Sequence, residues 1–263
     1  MLMKDALITH LYQYRRYIWR NAWNELRYRY AGTKMGIFWN VLHPLVVIGL
    51  YTLIFSWIFP LRAQSGSYVL YLTSGLLAWR VFAETIQRGG NAFIEHARYL
   101  KRLPIPAEVF LAQQTLTATF MLFFYYLLLI PVNIISGNRI GVTILALPLV
   151  LIALQGLAFG MSLTLANLRA LFPDVEQIMQ AVLPLWMWTL PIIYPESVLP
   201  ETLRGWLALN PPYVFLRAIR QTLIDQQLPG GNTWLMIAGW LFVTIGIGAR
   251  VHQKFQVEVR ETI

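Results

Sequence analysis

Long charge-free runs alternate with short charged segments along most of the chain, and this alternation predicts the architecture. Apolar stretches occupy 37–59, broken only by His43, then 109–135, 142–166, 178–195 and 231–249. A further stretch, 68–86, contains Arg80 and Glu84 but surrounds them with Leu70, Leu72, Leu76, Leu77, Val81 and Phe82, and it counts as a span. A helix needs about 20 apolar residues to cross a bilayer. The pattern therefore predicts an all-α integral membrane protein with six transmembrane helices between residues 37 and 249. The third and fourth runs, with their uncharged flanks, exceed the hydrocarbon thickness, so tilt or extension beyond it is expected. Ser136-Gly137-Asn138 supplies the turn between them.

Three segments are patterned differently. In residues 1–36, Trp19, Trp23, Leu26 and Tyr30 fall at helical spacing on one face, and Arg16, Arg20, Asn24 and Arg27 on another. This predicts an amphipathic interface helix in the headgroup plane, with aromatics embedded and arginines on phosphates. It serves as a plain anchor or also cradles a cytoplasmic partner. Between the second and third spans, QRGGNAFIEHARYLKRLPIPA predicts a helix end at Gly89-Gly90, then a short helix with Glu95, Arg98, Tyr99 and Lys101, stopped by Pro104 and Pro106. It reads either as a connecting loop or as a coupling helix on which a soluble motor pushes. Beyond the fifth span, Asn210-Pro211-Pro212 divides 196–230 into two short helical patterns, 201–209 and 213–228, too apolar for free solvent. They are expected to dip into the outer leaflet or to re-enter between spans. Arg204, Arg217 and Arg220 there face lipid phosphate or sugar hydroxyls.

Composition narrows the classes. Of 263 residues 57% are hydrophobic and only 13% charged, with mean hydropathy +0.53. Soluble domains carry roughly 25% charged residues, and a disordered chain would lack the 14% aromatic content seen here. The net charge of +9 reads as lipid headgroups and the positive-inside rule rather than nucleic acid. With the N-terminus inside, fifteen of the 21 Lys and Arg flank the cytoplasmic ends of the spans and five the external ends, Arg80 lying within a span. Both termini, including a tail at 250–263, are thus expected in the cytoplasm. The charged start of the chain does not read as a cleavable signal peptide.

Soluble-enzyme chemistry is hard to assemble. His10, His43, His96 and His252 stand isolated in sequence, cysteine is absent, and neither a zinc motif nor a phosphate-binding P-loop occurs. No metal or cofactor site is expected, and work against a gradient would need a partner or coupled ions. Arg80 and Glu84, one turn apart, can pair with each other or contact a polar substrate. In the fifth span Pro184, Pro191 and Pro195 suit an element that flexes. Trp186, Trp188 and Tyr194 beside them offer flat faces for sugar rings or form an interfacial belt. Gly156 and Gly160 make a small-xxx-small pair for close helix packing.

Several stretches together resemble a known family. They are ELRYRYAGTKMGIFWNVLHPL at 25–45, GLLAWRVF at 75–82, KRLPIPAEVF at 101–110, and TLPIIYPESVLP with LNPPYVFLRAIRQ within 189–221. The chain resembles the ABC-2 type membrane subunits of polysaccharide exporters, above all those exporting lipid-linked O-antigen and related glycans such as capsule and teichoic acid. The resemblance implies a non-enzymatic permease in the bacterial inner membrane, working as a homodimer above two separate subunits that bind ATP and magnesium. It implies a channel lined largely by the first and fifth spans, placing Trp39, Tyr51, Trp186, Trp188 and Tyr194 at its wall; Arg80 and Glu84 of the second span join the lining as intramembrane charges, Arg80 lying outside the family's general pattern. It implies ATPase coupling through Glu95, Arg98, Tyr99, Lys101 and Arg102, and an external cap carrying Arg204, Arg217 and Arg220. Arg27, Arg29 and Lys34 sit where a lipid diphosphate would arrive. The family's Arg-Asp after the fourth span is replaced by Pro173-Asp174, so no role passes to Arg169. The alternatives are an ABC-2 exporter of drugs or small lipids, an integral membrane glycosyl- or acyltransferase, and an ion-coupled carrier. The transferase would need paired acids or an activated histidine. The carrier would need buried carboxylates besides Glu84.

Overall fold

The computed structural model describes residues 4–28, 42, 45–46, 49–50, 53–54, 68–135 and 141–262. In chain order these form α1 (Lys4–Gln13), α2 (Arg15–Tyr28), α3 (Tyr68–Glu95), α4 (Ala97–Arg102) and α5 (Ala107–Ile135). A 3-10 turn (Val142–Ala146) leads into α6 (Leu147–Leu171) and then α7 (Val175–Trp188). After a second 3-10 turn (Glu196–Val198) come α8 (Glu201–Leu207), α9 (Pro211–Leu223) and α10 (Gly231–Thr262). Among the described residues no strand occurs. Helices α3, α5, α6 and α10 are each long and apolar enough to cross a membrane, and the protein is an all-α membrane protein.

Helix α3 is the hub, packed against α5, α6, α7 and α9, while α6 also lies along α10. Its residues Leu70, Leu72, Phe82 and Ile86 are fully inside, joined by Leu122 of α5, Leu151 and Leu154 of α6, and Phe215 of α9. Helix α10 is different: Leu235 and Phe242 stand out from the bundle. In lipid, apolar surface gains little by leaving its surroundings, so helices associate through close packing and small residues. The α6–α10 crossing follows this rule. A Cβ on Gly160 would come within 2.7 Å of the backbone at Thr244 and Ile245, and one on Gly248 within 2.6 Å of the Gly160 carbonyl. Gly156 meets only Leu241 there, so Gly160 with Gly248 makes the closest approach.

A second, smaller core closes the end of the bundle where α1 and the last turns of α10 meet, here the near end. Leu7, Phe93, Leu100, Phe110, Leu111 and Val259 bring together α1, α3, α4, α5 and α10. The far end carries α8, α9 and the connection from α7.

Four sequence expectations change. Gly89 and Gly90 do not end a helix, because α3 runs through them to Glu95. A Cβ on Gly89 would stand 2.6 Å from that of Ser162, and one on Gly90 2.6 Å from the Met179 sulfur. The pair thins the helix for its neighbours instead of breaking it. The fifth run is helical only over Val175–Trp188, about 21 Å long, and 189–194 is non-helical. The N-terminal segment is two helices meeting at Tyr14, and the expected tail continues α10 to Thr262. The first span, 37–59, lies outside the described residues except at Leu42, Leu45, Val46, Gly49, Leu50, Leu53 and Ile54, all helical.

Candidate functional site

At the far end α7 stops at Trp188, leaving the carbonyls of the following turn without helical donors. Side chains from two other helices supply them. Tyr71 Oη donates to Pro191 O at 2.9 Å and lies 3.2 Å from Tyr194 O, and Tyr68 Oη donates to Ile193 O at 2.8 Å. Arg220 of α9 donates through Nη1 to Pro191 O at 2.7 Å, and Nη2 lies 3.4 Å from the carbonyls of Ile192 and Tyr71. Its guanidinium stacks 3.6 Å from the centre of the Tyr71 ring, and the residue is 6% exposed. Gly75 makes the room, since a Cβ there would stand 2.8 Å from Arg220 Nη2 and 3.2 Å from Ile192 Cγ2. Irregular backbone inside a membrane protein persists only where the protein satisfies its polar groups, and this clasp does so. Arg220 Nε is buried without an acceptor, so the arrangement is not saturated.

The remaining predicted residues of the far half are spread over different surfaces. Trp186 turns inward, edge-on to Trp79 and Phe82 at 5.7 and 5.9 Å, and donates through Nε1 to Asn210 Oδ1 at 2.9 Å. Trp188 points outward beside Ile178, Val182 and Leu185, an exposed apolar stripe along α7. Tyr194 Oη donates to Trp188 O at 3.0 Å. Arg204 folds back on the carbonyls of Ser197 and Leu199, both at 2.9 Å, and Arg217 is exposed. Of the three cap arginines Arg220 alone faces inward, where phosphate or sugar hydroxyls do not reach. Trp39 and Tyr51 lie outside the described residues. Arg80 is half-buried. Among the described residues, the ion-pair partner of Glu84 is Arg88, at 3.9 Å, one turn beyond it on the opposite side from Arg80.

At the near end two networks fasten the N-terminal helices. Glu25 of α2 pairs with Arg88 and accepts from Thr117 Oγ1 at 3.0 Å. Helix α2 therefore lies along α5 through Ile18, Ala22 and Glu25, while Trp19 and Trp23, both half-exposed, set their edges on Phe120. Deeper towards the termini, Glu108 of α5 is buried between two histidines. His10 Nδ1 donates to one oxygen at 2.7 Å and His252 Nε2 to the other at 3.2 Å. His252 Nδ1 lies 3.1 Å from Asn167 Oδ1, while Asn167 Nδ2 is occupied by Leu163 O at 2.7 Å. Both ring nitrogens of His252 thus lie within hydrogen-bonding distance of side-chain oxygens. Two of the histidines isolated in sequence are joined in space; His43 lies outside the described residues. Beside this clasp a cleft of about 600 Å³ is lined by His10, Glu108, His252, Gln256, Arg260 and Glu261. Among the described residues no group of His, Asp and Glu is arranged to hold a metal ion.

The short helix α4 buries Leu100 and exposes Arg98, Tyr99, Lys101 and Arg102. Glu95, the fifth predicted coupling residue, ends α3 and accepts from Gln114 Nε2 at 3.2 Å. His96 stands at the junction, its ring stacked on Phe110 at 4.7 Å and its Nδ1 2.9 Å from Ala92 O. Tyr14, at the break between α1 and α2, reaches Pro104 O at 3.3 Å, so the α4 platform and the N-terminal helices form one surface. Arg27 is exposed at the end of α2; Arg29 and Lys34 lie outside the described residues. Tyr68, Tyr71, Glu25, Glu108 and Asn167 escaped sequence reasoning because their partners lie 63 or more residues away. Only the rarity of a carboxylate at the mouth of an apolar run could have singled out Glu108.

Residues 16–224 match the ABC-2 type transporter family. The chain is 24% identical to the O-antigen export system permease protein RfbA of Myxococcus xanthus, over 98% of its own length and 99% of that protein. It is 27% identical to an RfbA permease of Klebsiella pneumoniae, covering 91% and 92%. Likeness to the polysialic acid transport protein KpsM of Escherichia coli is 22%, over 87% and 89%.

Proposed function

Because this chain belongs to the ABC-2 type transporter family, we propose that it is the membrane-spanning permease subunit of an ATP-driven exporter of lipid-linked polysaccharide. The cargo is O-antigen on a polyprenyl diphosphate carrier, moved outward across a bacterial inner membrane. The near end, with both termini and α4, faces the cytoplasm. Two copies of the chain enclose the conduit, and two separate subunits bind and hydrolyse ATP. The likeness to O-antigen permeases along nearly the whole chain carries this reading, and the exposed α4 platform supports its mechanical part.

In that mechanism the chain performs no covalent chemistry. ATP closes the partner subunits, which press on Arg98, Tyr99, Lys101 and Arg102 of α4. Leu100 holds α4 in the near-end core, so the push passes into α3 and α5 as rigid levers. The bundle then exchanges between closed and open populations, biased by a ligand that binds the two states unequally. Ile178, Val182, Leu185 and Trp188 of α7 give a wall with few hydrogen-bonding groups, along which a polymer slides through many registers. Arg27, with Arg29 and Lys34, receives the lipid diphosphate at the cytoplasmic surface by charge.

The test is reconstitution. The chain, co-purified with an ATP-hydrolysing partner and placed in vesicles with lipid-linked glycan, is expected to move glycan only with ATP. Neutralising Arg27, Arg29 and Lys34 together is expected to slow export while the complex stays assembled. Export by the chain without any nucleotide hydrolase refutes the proposal.

A further inference from the structure

We propose that Arg220 is a positioning residue that, with Tyr71, latches the non-helical segment Pro191–Tyr194 against α3 and so sets the closed arrangement of the far mouth of the conduit. The inference rests on the exporter reading above and adds to it the element that must be released for the mouth to open.

Four observations carry it. First, between Trp188 and the 3-10 turn at Glu196 the segment has only isolated turns, such as Ile192 N to Leu190 O at 2.7 Å, and the carbonyls of 191–194 take their side-chain donors from α3 and α9. Withdrawing those donors leaves it no alternative ladder in place. Second, the donor that spans two helices is a buried guanidinium whose hydrogen-bond and ring partners are neutral, three carbonyls and the face of Tyr71, while the Asp225 carboxylate acts on it only through space. Among the described residues it forms no ion pair. Carbonyls accept from a cation more weakly than carboxylates do, so the hold is firm in aggregate but made of separable parts. Third, two of those contacts are long, at 3.4 Å, and Nε has no acceptor. A closed state that leaves a buried donor unmet is easier to leave than one fully paired. Fourth, the segment is mechanically central. Tyr194 is tied to Trp188 at the end of the exposed α7 stripe, and the chain continues directly into α8, where Trp206 is exposed. Displacing 191–194 therefore moves the last turn of α7 and the start of α8 together.

Gly75 offers a way to strain the latch without deleting a hydrogen-bonding group. A methyl group there meets Arg220 Nη2 at 2.8 Å and Ile192 Cγ2 at 3.2 Å, so Gly75→Ala displaces the guanidinium from the groove it shares with the segment. Tyr71→Phe keeps the ring for the cation and removes the hydroxyl. Arg220→Lys keeps the charge and loses the fork that spans two carbonyls.

The experiment places the full-length chain in proteoliposomes loaded with a small water-soluble dye and follows efflux without nucleotide, with thermal unfolding of each variant measured in parallel. Gly75→Ala, Tyr71→Phe and Arg220→Lys are each expected to raise efflux about fivefold, the change in population that corresponds to losing about one hydrogen bond. Asn232→Gln, exposed at the start of α10, is expected to match the unsubstituted chain. A purely structural role lowers the unfolding temperature and leaves the efflux of folded protein unchanged, and that result overturns the latch. Adding the ATP-hydrolysing partner and lipid-linked glycan separates the two claims. Failure of ATP-driven export in the unsubstituted chain sinks the exporter reading and leaves the efflux comparison standing.

Discussion

The two clasps do the same mechanical work at opposite ends of the bundle with different chemistry. At the far end side chains donate to backbone carbonyls that have lost their helix, through Tyr68, Tyr71 and Arg220. At the near end side chains meet side chains, Glu108 with His10 and His252, and every helix involved keeps its own backbone ladder. The difference teaches which contacts are obligatory. Unsatisfied carbonyls in an apolar interior cost several kcal/mol each on the hydrocarbon scale, so the far clasp is a condition for the segment to sit where it does. The near clasp orients helices that would exist without it, beside an open cleft where water can replace a lost partner. On the exporter reading proposed above, a motor that pushes on the near end would meet a joint that can be remade.

The widest separation between the two ends is expected from deleting their central side chains. Arg220→Ala strips Ile192 O of its donor, removes one of two donors from Pro191 O and empties the space beside Gly75, at a cost of about 2–4 kcal/mol. It is read as a lower unfolding temperature in detergent. Glu108→Ala leaves two histidines without their carboxylate, and solvent in the cleft makes good part of the loss, so about 1–2 kcal/mol is expected. Its effect should be local: faster amide exchange in α1, with α3 and α6 unchanged. An Arg220→Ala protein as stable as the parent, or a Glu108→Ala protein that melts as a whole, would erase the distinction. Tyr71→Phe is the milder probe of the far clasp. Its hydroxyl is one of two donors to Pro191 O, so about 1 kcal/mol is expected.

The spans were legible because a bilayer demands long apolar runs, and the runs at 68–86, 109–135, 142–166 and 231–249 all lie within helices. The pair α8–α9 was legible because Asn210-Pro211-Pro212 must interrupt a helix. Gly89-Gly90 was misread because in water two glycines end a helix, whereas here Ser162, Leu111 and Met179 fill the space they leave. The end of α7 was misread for a related reason: Leu190, Ile192 and Ile193 are as apolar as any span, yet they are buried as irregular backbone held by Arg220. Neither clasp could be seen in advance. Tyr71 and Pro191 are 120 residues apart, and His252 and Glu108 are 144 apart. No local pattern marks such partners, since a tyrosine near the end of a span is ordinary wherever it stands.

The smallest effect sharpens the comparison most, because it concerns a near-end contact that resembles the far clasp in using an arginine. Arg88 is paired with Glu25 and lies 3.9 Å from Glu84, with the pair's side chains 31% and 21% exposed. Partly exposed ion pairs contribute about 0.2–1 kcal/mol, and Glu25→Gln keeps an amide oxygen to accept from Thr117. The expected loss is therefore at or below about 0.5 kcal/mol, and it should shrink further in high salt, where charges near water are screened. The far clasp should show no such salt dependence, because its acceptors carry no net charge and the guanidinium is buried. Melting Glu25→Gln and Tyr71→Phe side by side at low and high salt checks this. A salt-sensitive Tyr71→Phe effect would mean that ions reach the far clasp, and its carbonyls would then be less dependent on Tyr68, Tyr71 and Arg220 than their burial implies.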